Sequence, residues 1–200
     1  VRELPFGVYK NSMRIDGYEN ELDLVCEMTI SETGIDLNFN GTSPTSTYGI
    51  NVPVTYTEAY ATFGVRCVIG SRVPNNAGSL APVRITAPVG CILNAPHPAA
   101  VTGRHVIGQM LPDVILGCLN QVIPNRVPAE GTSCLWNPVL LGGHGLTEYD
   151  YGNAQPFAMN TFHSGGTGAR PSKDGLDATA FPSGVKNTPI EICLLYTSDA

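Results

Sequence analysis

Residues 103–124 constrain the fold more than any other part of the chain. Val106, Ile107, Met110, Leu111, Val114, Ile115, Cys118, Leu119 and Val122 recur at spacings of three and four, the period of one helix face. Pro112 lies inside the pattern and should kink or split the helix. His105, Gln109 and Asp113 follow one another a turn apart along it. Such a stripe is either a solvated face or one wall of a site.

Around this helix the periodicity alternates between two and 3.6. Residues 22–31 (LDLVCEMTIS) and 35–44 (IDLNFNGTSP), joined by Glu32, Thr33 and Gly34, read as a β-hairpin. Ile35, Leu37 and Phe39 would face the core, with Asp36, Asn38 and Asn40 opposite. Residues 54–70 place Tyr56, Ala59, Tyr60, Phe63 and Cys67 at helical spacing, with Gly70 at the stop and Gly64 marking close packing. Residues 72–82 read as a loop, and 83–87 with 91–96 as a second hairpin. Residues 132–142 and 157–163 read as strands, joined through the turn-rich segment 150–156. The fold class is therefore α+β (mixed), β-hairpins alternating with helices.

Composition narrows the partners. Charged residues make up 14% of the 200, with a net charge of -6 and no basic run, which argues against nucleic acid as a partner. No apolar run is long enough to cross a membrane. The six cysteines are scattered without a C-x-x-C pair and lie mostly in apolar runs; they read as free thiols of a cytoplasmic protein.

Residues 163–175, HSGGTGARPSKDG, invite comparison with phosphate-cradling loops. Lys173 does not follow a glycine, Pro171 stands where a dinucleotide fingerprint needs a glycine, and the following residues lack helical periodicity. No helix N-terminus is on offer for an anion. The glycines then serve either a turn that needs positive φ or a close approach of backbone to a substrate, with Arg170 and Asp174 presented to it. The histidines, His97, His105, His144 and His163, show no metal-clamp spacing. His105 and His163 are candidates for a site, His144 is a loop residue, and His97 lies between prolines in a turn. There is no G-x-S-x-G nucleophile elbow.

The order of the motifs resembles the hydantoinase B/oxoprolinase family. Asp36-Leu-Asn-Phe-Asn-Gly-Thr-Ser-Pro resembles its D-F-x-G-T-S signature, and Asn51-Val-Pro-Val its I-N-x-P turn. Val73-Pro-Asn-Asn-Ala-Gly-Ser-Leu-Ala-Pro-Val and Ala87-Pro-Val-Gly-Cys-Ile-Leu-Asn-Ala-Pro follow in the family's order. Arg126-Val-Pro-Ala-Glu-Gly, the 165–175 segment and Asn187-Thr-Pro-Ile-Glu complete the series. The chain departs from the pattern at Leu37, at Gly-Arg-His 103–105, where many members carry a Gly-Asn-x-Glu type sequence, and at Ser172, where glycine is frequent.

The resemblance implies residues 1–192 of a central-to-late fragment of a larger hydantoinase B-type domain. Residues 193–200 resemble translated adapter sequence and stand apart. It also implies part of an ATP-dependent amidohydrolase that opens cyclic amides of the hydantoin or 5-oxoproline type. ATP would be used by a hydantoinase A-like ATPase subunit or fused domain, and a divalent metal would be held by residues upstream, with no metal ligand in this stretch. A related ATP-dependent carboxylase, or a scaffold that docks the ATPase, are the alternatives. The residues expected to act are His105 and Asp174 in catalysis, with Asn51, Asn76, Gly165, Gly166, Gly168 and Arg170 binding substrate.

Overall fold

The computed structural model describes residues 4–70, 72–133, 135–136, 138–142, 157–161, 163–177 and 179. A four-stranded sheet comes first, three strands in sequence order with residues 83–86 beside the third. Strands β1 (Gly7–Ile15), β2 (Leu22–Ser31) and β3 (Gly34–Asn38) form an antiparallel meander. Leu22, Leu24, Cys26, Met28 and Ile30 of β2 share one face, and Ile35, Leu37 and Phe39 continue it, all buried. The opposite face carries ion pairs between residues opposite each other across the strands: Lys10 with Glu27, Arg14 with Asp23, and Asp36 with Arg84. The hairpin expected over 22–44 is present. Its loop is only Glu32 and Thr33, because Gly34 pairs with Ser31 inside the ladder.

Beyond Asn38 the chain still runs beside β2, and side chains take over the ladder. The Thr42 hydroxyl accepts from the Val25 N–H at 3.0 Å and donates to the Val25 carbonyl at 3.2 Å. Ser43 Oγ accepts from the Asp23 N–H at 2.9 Å. Backbone donors that would otherwise be stranded at this edge are thereby satisfied.

Helix α1 (Val54–Val68) starts after Pro53 and ends at Ile69, with Gly70 at φ +69° just beyond, the left-handed position that follows many helix ends. The long apolar pattern is split as Pro112 required. Helix α3 (His105–Gly108) is one turn, and α4 (Leu111–Asn120) carries Pro112 in its own first turn, where a missing N–H costs nothing. Leu111 to Leu116, Cys118 and Leu119 are all buried. A helix apolar on every side must be enclosed, and α4 packs on β1 and β2 on one side and on α1 on another.

Two glycines let α4 come this close. A Cβ on Gly64 of α1 would stand 2.9 Å from the Pro112 Cα and 3.1 Å from the Ile115 Cβ. Gly117 makes room for Asn11 of β1, whose Nδ2 donates to the Val114 carbonyl at 3.1 Å.

The expected second hairpin does not form. Strand β4 (Val83–Thr86) pairs with β3 in parallel, which requires a crossover rather than a turn, and α1 lies in that crossover. Residues 91–95 instead thread between 43–45 and Val52: Ile92 N–H donates to the Ser43 carbonyl, and Val52 N–H to the Ile92 carbonyl, each at 2.8 Å. Nor is 72–82 wholly a loop. Helix α2 (Ala77–Leu80) forms there, capped by Asn76. Strand β1 has no clear signature in the sequence, because Val8 faces outward and Asn11 inward against its alternation.

The later strands are short. Strand β5 (Leu135–Trp136) pairs with β8 (His163–Ser164), and β6 (Val139–Gly142) with β7 (Phe157–Asn160). Val139, Leu141 and Phe157 are exposed by 61%, 71% and 54%, so this ribbon leaves apolar side chains open on both faces, Val139 and Leu141 on one and Phe157 on the other. The connection expected at 150–156, His144, Cys134, Cys193, the Asn187-Thr-Pro-Ile-Glu motif and the tail at 193–200 lie outside the described residues. The four described cysteines are free thiols. Among the described residues, no helix is long and apolar enough to cross a membrane.

Two substitutions test this packing. In a helix, Gly→Ala ordinarily gains about 1 kcal/mol. Gly64→Ala should instead destabilise by about 1–3 kcal/mol, because the new methyl group meets the Pro112 backbone; a gain in urea midpoint would show that α1 and α4 are not pressed together. Asn51→Ala should cost about 2–4 kcal/mol, since its buried amide holds Ser46, Tyr48 and Ala100; urea unfolding reads this directly.

Candidate functional site

The polar stripe of the long helix is not solvated. Gln109 and Asp113 are 3% and 1% exposed. Gln109 Oε1 has no hydrogen-bond partner among the described residues, and the Asp113 carboxylate has none of good geometry, with the Gly131 backbone N–H standing against it. Buried polar atoms are nearly always paired, and an unpaired buried carboxylate costs several kcal/mol. Burial pushes the Asp113 carboxyl up to about 6; the Glu130 charge adds to the shift and a backbone hydrogen bond from Gly131 opposes it.

Asp113 lies on the wall of a cavity of about 410 Å³. Three parts of the chain enclose it. Helix α4 supplies Asp113, Gly117 and Asn120; the segment after the 3₁₀ turn Pro124–Arg126 supplies Val127 and Glu130; the glycine segment supplies Arg170. Apolar walls with a few polar groups, at this volume, suit a small organic molecule.

The glycine segment closes the cavity by packing backbone on backbone. Ala129 N–H donates to the Ala169 carbonyl at 2.8 Å, Thr132 N–H to Gly166 at 3.2 Å, and Thr167 N–H to Leu176 at 2.9 Å. A Cβ on Gly168 would stand 2.0 Å from the Ala129 carbonyl oxygen, one on Gly166 2.5 Å from that of Leu176, and one on Gly165 1.9 Å from the Thr132 Oγ1. None of the three has positive φ. The turn explanation is therefore corrected: these glycines are required by missing volume, not by handedness. What they admit is the chain's own, backbone at Gly166 and Gly168 and the Thr132 side chain at Gly165.

Arg170 stands where this packing turns. Its N–H and carbonyl pair with Lys173, and its Nε donates to the Asp174 carbonyl at 3.0 Å. Arg170 and Asp174 are thus brought together, but only Arg170 lines the cavity.

The remaining expected site residues fall elsewhere. Asn51 is fully buried, and its amide is consumed: Oδ1 accepts from the Ser46 N–H, and Nδ2 donates to Ser46, Tyr48 and Ala100 carbonyls at 2.9–3.0 Å. It holds a loop and has no donor left for a ligand. Asn76 is an exposed N-cap, bonded reciprocally with Ser79. His105 is half-buried at the start of α3 and does not line the cavity. His163 is exposed on β8, with Nε2 3.2 Å from Thr161 Oγ1, and His97 sits in an exposed turn. Asp113 and Glu130 are not among the residues that the sequence marks as acting. The signal for Asp113 is its place in a stripe whose neighbours on every side are apolar.

No three His, Cys, Asp or Glu side chains converge among the described residues in a way that could hold a metal ion. These residues therefore do not fit the divalent metal that the family resemblance implies for a longer protein.

Comparison with known proteins agrees with this fold. The hydantoinase B/oxoprolinase family profile matches residues 1–194. The B-type component of a provisionally named D-/L-hydantoinase of Pseudomonas sp. (strain NS671) is 29% identical over 96% of this chain and 33% of its own length. The 5-oxoprolinase of Dictyostelium discoideum is 30% identical over 88% of this chain and 12% of its own. The chain thus spans a third or less of these relatives. Among solved structures, the nucleotide-free acetone carboxylase superposes with a TM-score of 0.75 at 18% identity, over 97% of this chain and 28% of that one. The ATP-dependent caprolactamase of Pseudomonas jessenii gives 0.72 at 21%, over 88% and 31%. The shared fold and the family match agree with the order of motifs along the chain, which belongs to the hydantoinase B/oxoprolinase family.

Proposed function

We infer that the full-length protein opens a small cyclic amide in an ATP-dependent reaction. The observation that carries this reading is the cavity beside α4, small, largely apolar and bounded by Asp113 and Arg170, in a chain of a family with relatives named 5-oxoprolinase and hydantoinase. An amide is a poor electrophile. Transfer of the γ-phosphoryl group of ATP to its oxygen, releasing ADP, turns that oxygen into a leaving group. Water then adds to the carbon, the C–N bond breaks to leave an acyl phosphate and an amine, and a second water hydrolyses the acyl phosphate, releasing phosphate and an amino acid.

ATP itself belongs to a hydantoinase A-like ATPase subunit or fused domain. The glycine segment supports this division, since its glycines are filled by Ala129, Thr132 and Leu176 and leave no cradle for a phosphate. Free thiols at Cys26, Cys67, Cys91 and Cys118 suit a cytoplasmic protein.

The open apolar side chains of this ribbon, Val139 and Leu141 on one face and Phe157 on the other, favour a second role, docking of the ATPase or of the rest of the parent chain. Arg170→Ala and Asp174→Ala separate the two roles: lost turnover with intact assembly supports the site, and retained turnover with lost assembly supports the scaffold.

The full-length protein with its ATPase should release ADP in step with ring opening of 5-oxoproline or a hydantoin. Ring opening without ATP, or none with any cyclic amide, would sink the reading. Consumption of a ketone only with bicarbonate would move the protein to the carboxylases.

A further inference from the structure

Asp113 is sealed within the protein, so its carboxyl serves the chain and not a ligand. The donor that stands against it is the Gly131 backbone N–H. Gly131 in turn lies against the glycine segment: a Cβ there would stand 2.9 Å from the Gly166 carbonyl oxygen and 3.4 Å from the Thr167 Cα. On either side of it, Ala129 and Thr132 donate their N–H groups to the Ala169 and Gly166 carbonyls at 2.8 and 3.2 Å. Arg170 follows Ala169 directly. Its N–H and Nε are fixed by the Lys173 and Asp174 carbonyls at 2.9 and 3.0 Å. The segment is also tied to the core by buried Val127 and by Arg126, which donates to the Val68 carbonyl at 2.9 Å. Both of those ties sit at its start, and Asp113 reaches its middle.

We propose that Asp113 is a positioning residue: its buried carboxyl holds Glu130 and Gly131 against α4 and, through their backbone ladder with residues 166–169, sets where Arg170 stands on the cavity wall. What Arg170 does to a substrate rests on the ring-opening reading above; the chain of contacts does not. The role needs an acceptor and not a charge. A protonated carboxyl or an amide offers the same oxygen to the Gly131 N–H. An apolar side chain of similar size leaves that donor unmatched and lets the strip lift from the helix.

Hydrogen exchange and kinetics on the full-length protein with its ATPase test this. Asp113→Leu should speed exchange about tenfold or more in peptides covering 127–132 and 165–173, the size expected for one lost hydrogen bond to a charged group, while the 22–39 hairpin keeps its protection. Asp113→Asn should keep the protection of all three. In the opening of 5-oxoproline or a hydantoin, Asp113→Leu should raise KM about tenfold with kcat changed by less than about threefold, and Asp113→Asn should bring KM back to within about threefold of wild type. Exchange unchanged in Asp113→Leu overturns the proposal. So does exchange raised over the whole protein, which would make Asp113 a core residue only, or raised equally in Asp113→Asn. The two readings fail separately. Local loss of protection that Asp113→Asn restores, with no lactam opened even by wild type, counts against the amidase reading alone. Lactam opening whose KM does not move in Asp113→Leu counts against the positioning of Arg170 alone.

Discussion

The enclosure of α4 is the constraint on which the rest of the structure depends. Eight of its ten residues are buried, so it cannot rest on one surface. The meander takes one side and α1 another, and each contact sets a requirement on the partner. Gly64 is needed where α1 crosses Pro112, and Gly117 where β1 brings in Asn11. Pro112 fixes where α4 begins, and that start places Asp113 in its first turn, on the wall of the cavity. A carboxylate there is favoured by the helix dipole by about 0.3–1 kcal/mol. That is too little to offset the several kcal/mol that burial without a partner costs.

Legibility follows the strength of the local pattern. The 3.6 period of residues 103–124 and the alternation of 22–39 are written by burial on defined faces, so helix, split and hairpin can all be read. Strand β1 cannot. Asn11 occupies an inward position because it serves the Val114 carbonyl, a contact 103 residues away. The partner of β4 is hidden for a related reason: Val83 to Thr86 and the turn after them look like half a hairpin, yet β3 wins the pairing through a crossover that no short window contains. The 77–80 helix escapes notice because a single turn has almost no periodicity, although Asn76 and Ser79 carry its capping box.

The motifs that carry the family resemblance turn out to be joints of the fold. Asp36 answers Arg84 across β3 and β4, Thr42 and Ser43 extend the ladder along β2, and Asn51 gathers three carbonyls. Asn94 closes its own turn on the Ala87 carbonyl at 2.8 Å. These roles explain why short polar residues stand there and why Asn51 and Asn76 look like ligand contacts in the sequence: a polar side chain in a loop carries the same signature whether it serves backbone or substrate. The glycines of 165–168 pose the same ambiguity. Space, rather than φ, resolves it, and space is visible only once Ala129, Thr132 and Leu176 are in place.

Against that background of satisfied polar groups, Asp113 stands apart. Its carboxyl in the folded protein titrates near 6, above its ordinary value. A group raised in this way contributes its stability while protonated, below the unfolded value, and that contribution is lost as pH rises through 6. At neutral pH the fold therefore carries a charge it would be more stable without. The same Pro112 start that lets α4 sit enclosed between the meander and α1 thus buries a carboxyl that the fold holds more readily in its protonated form.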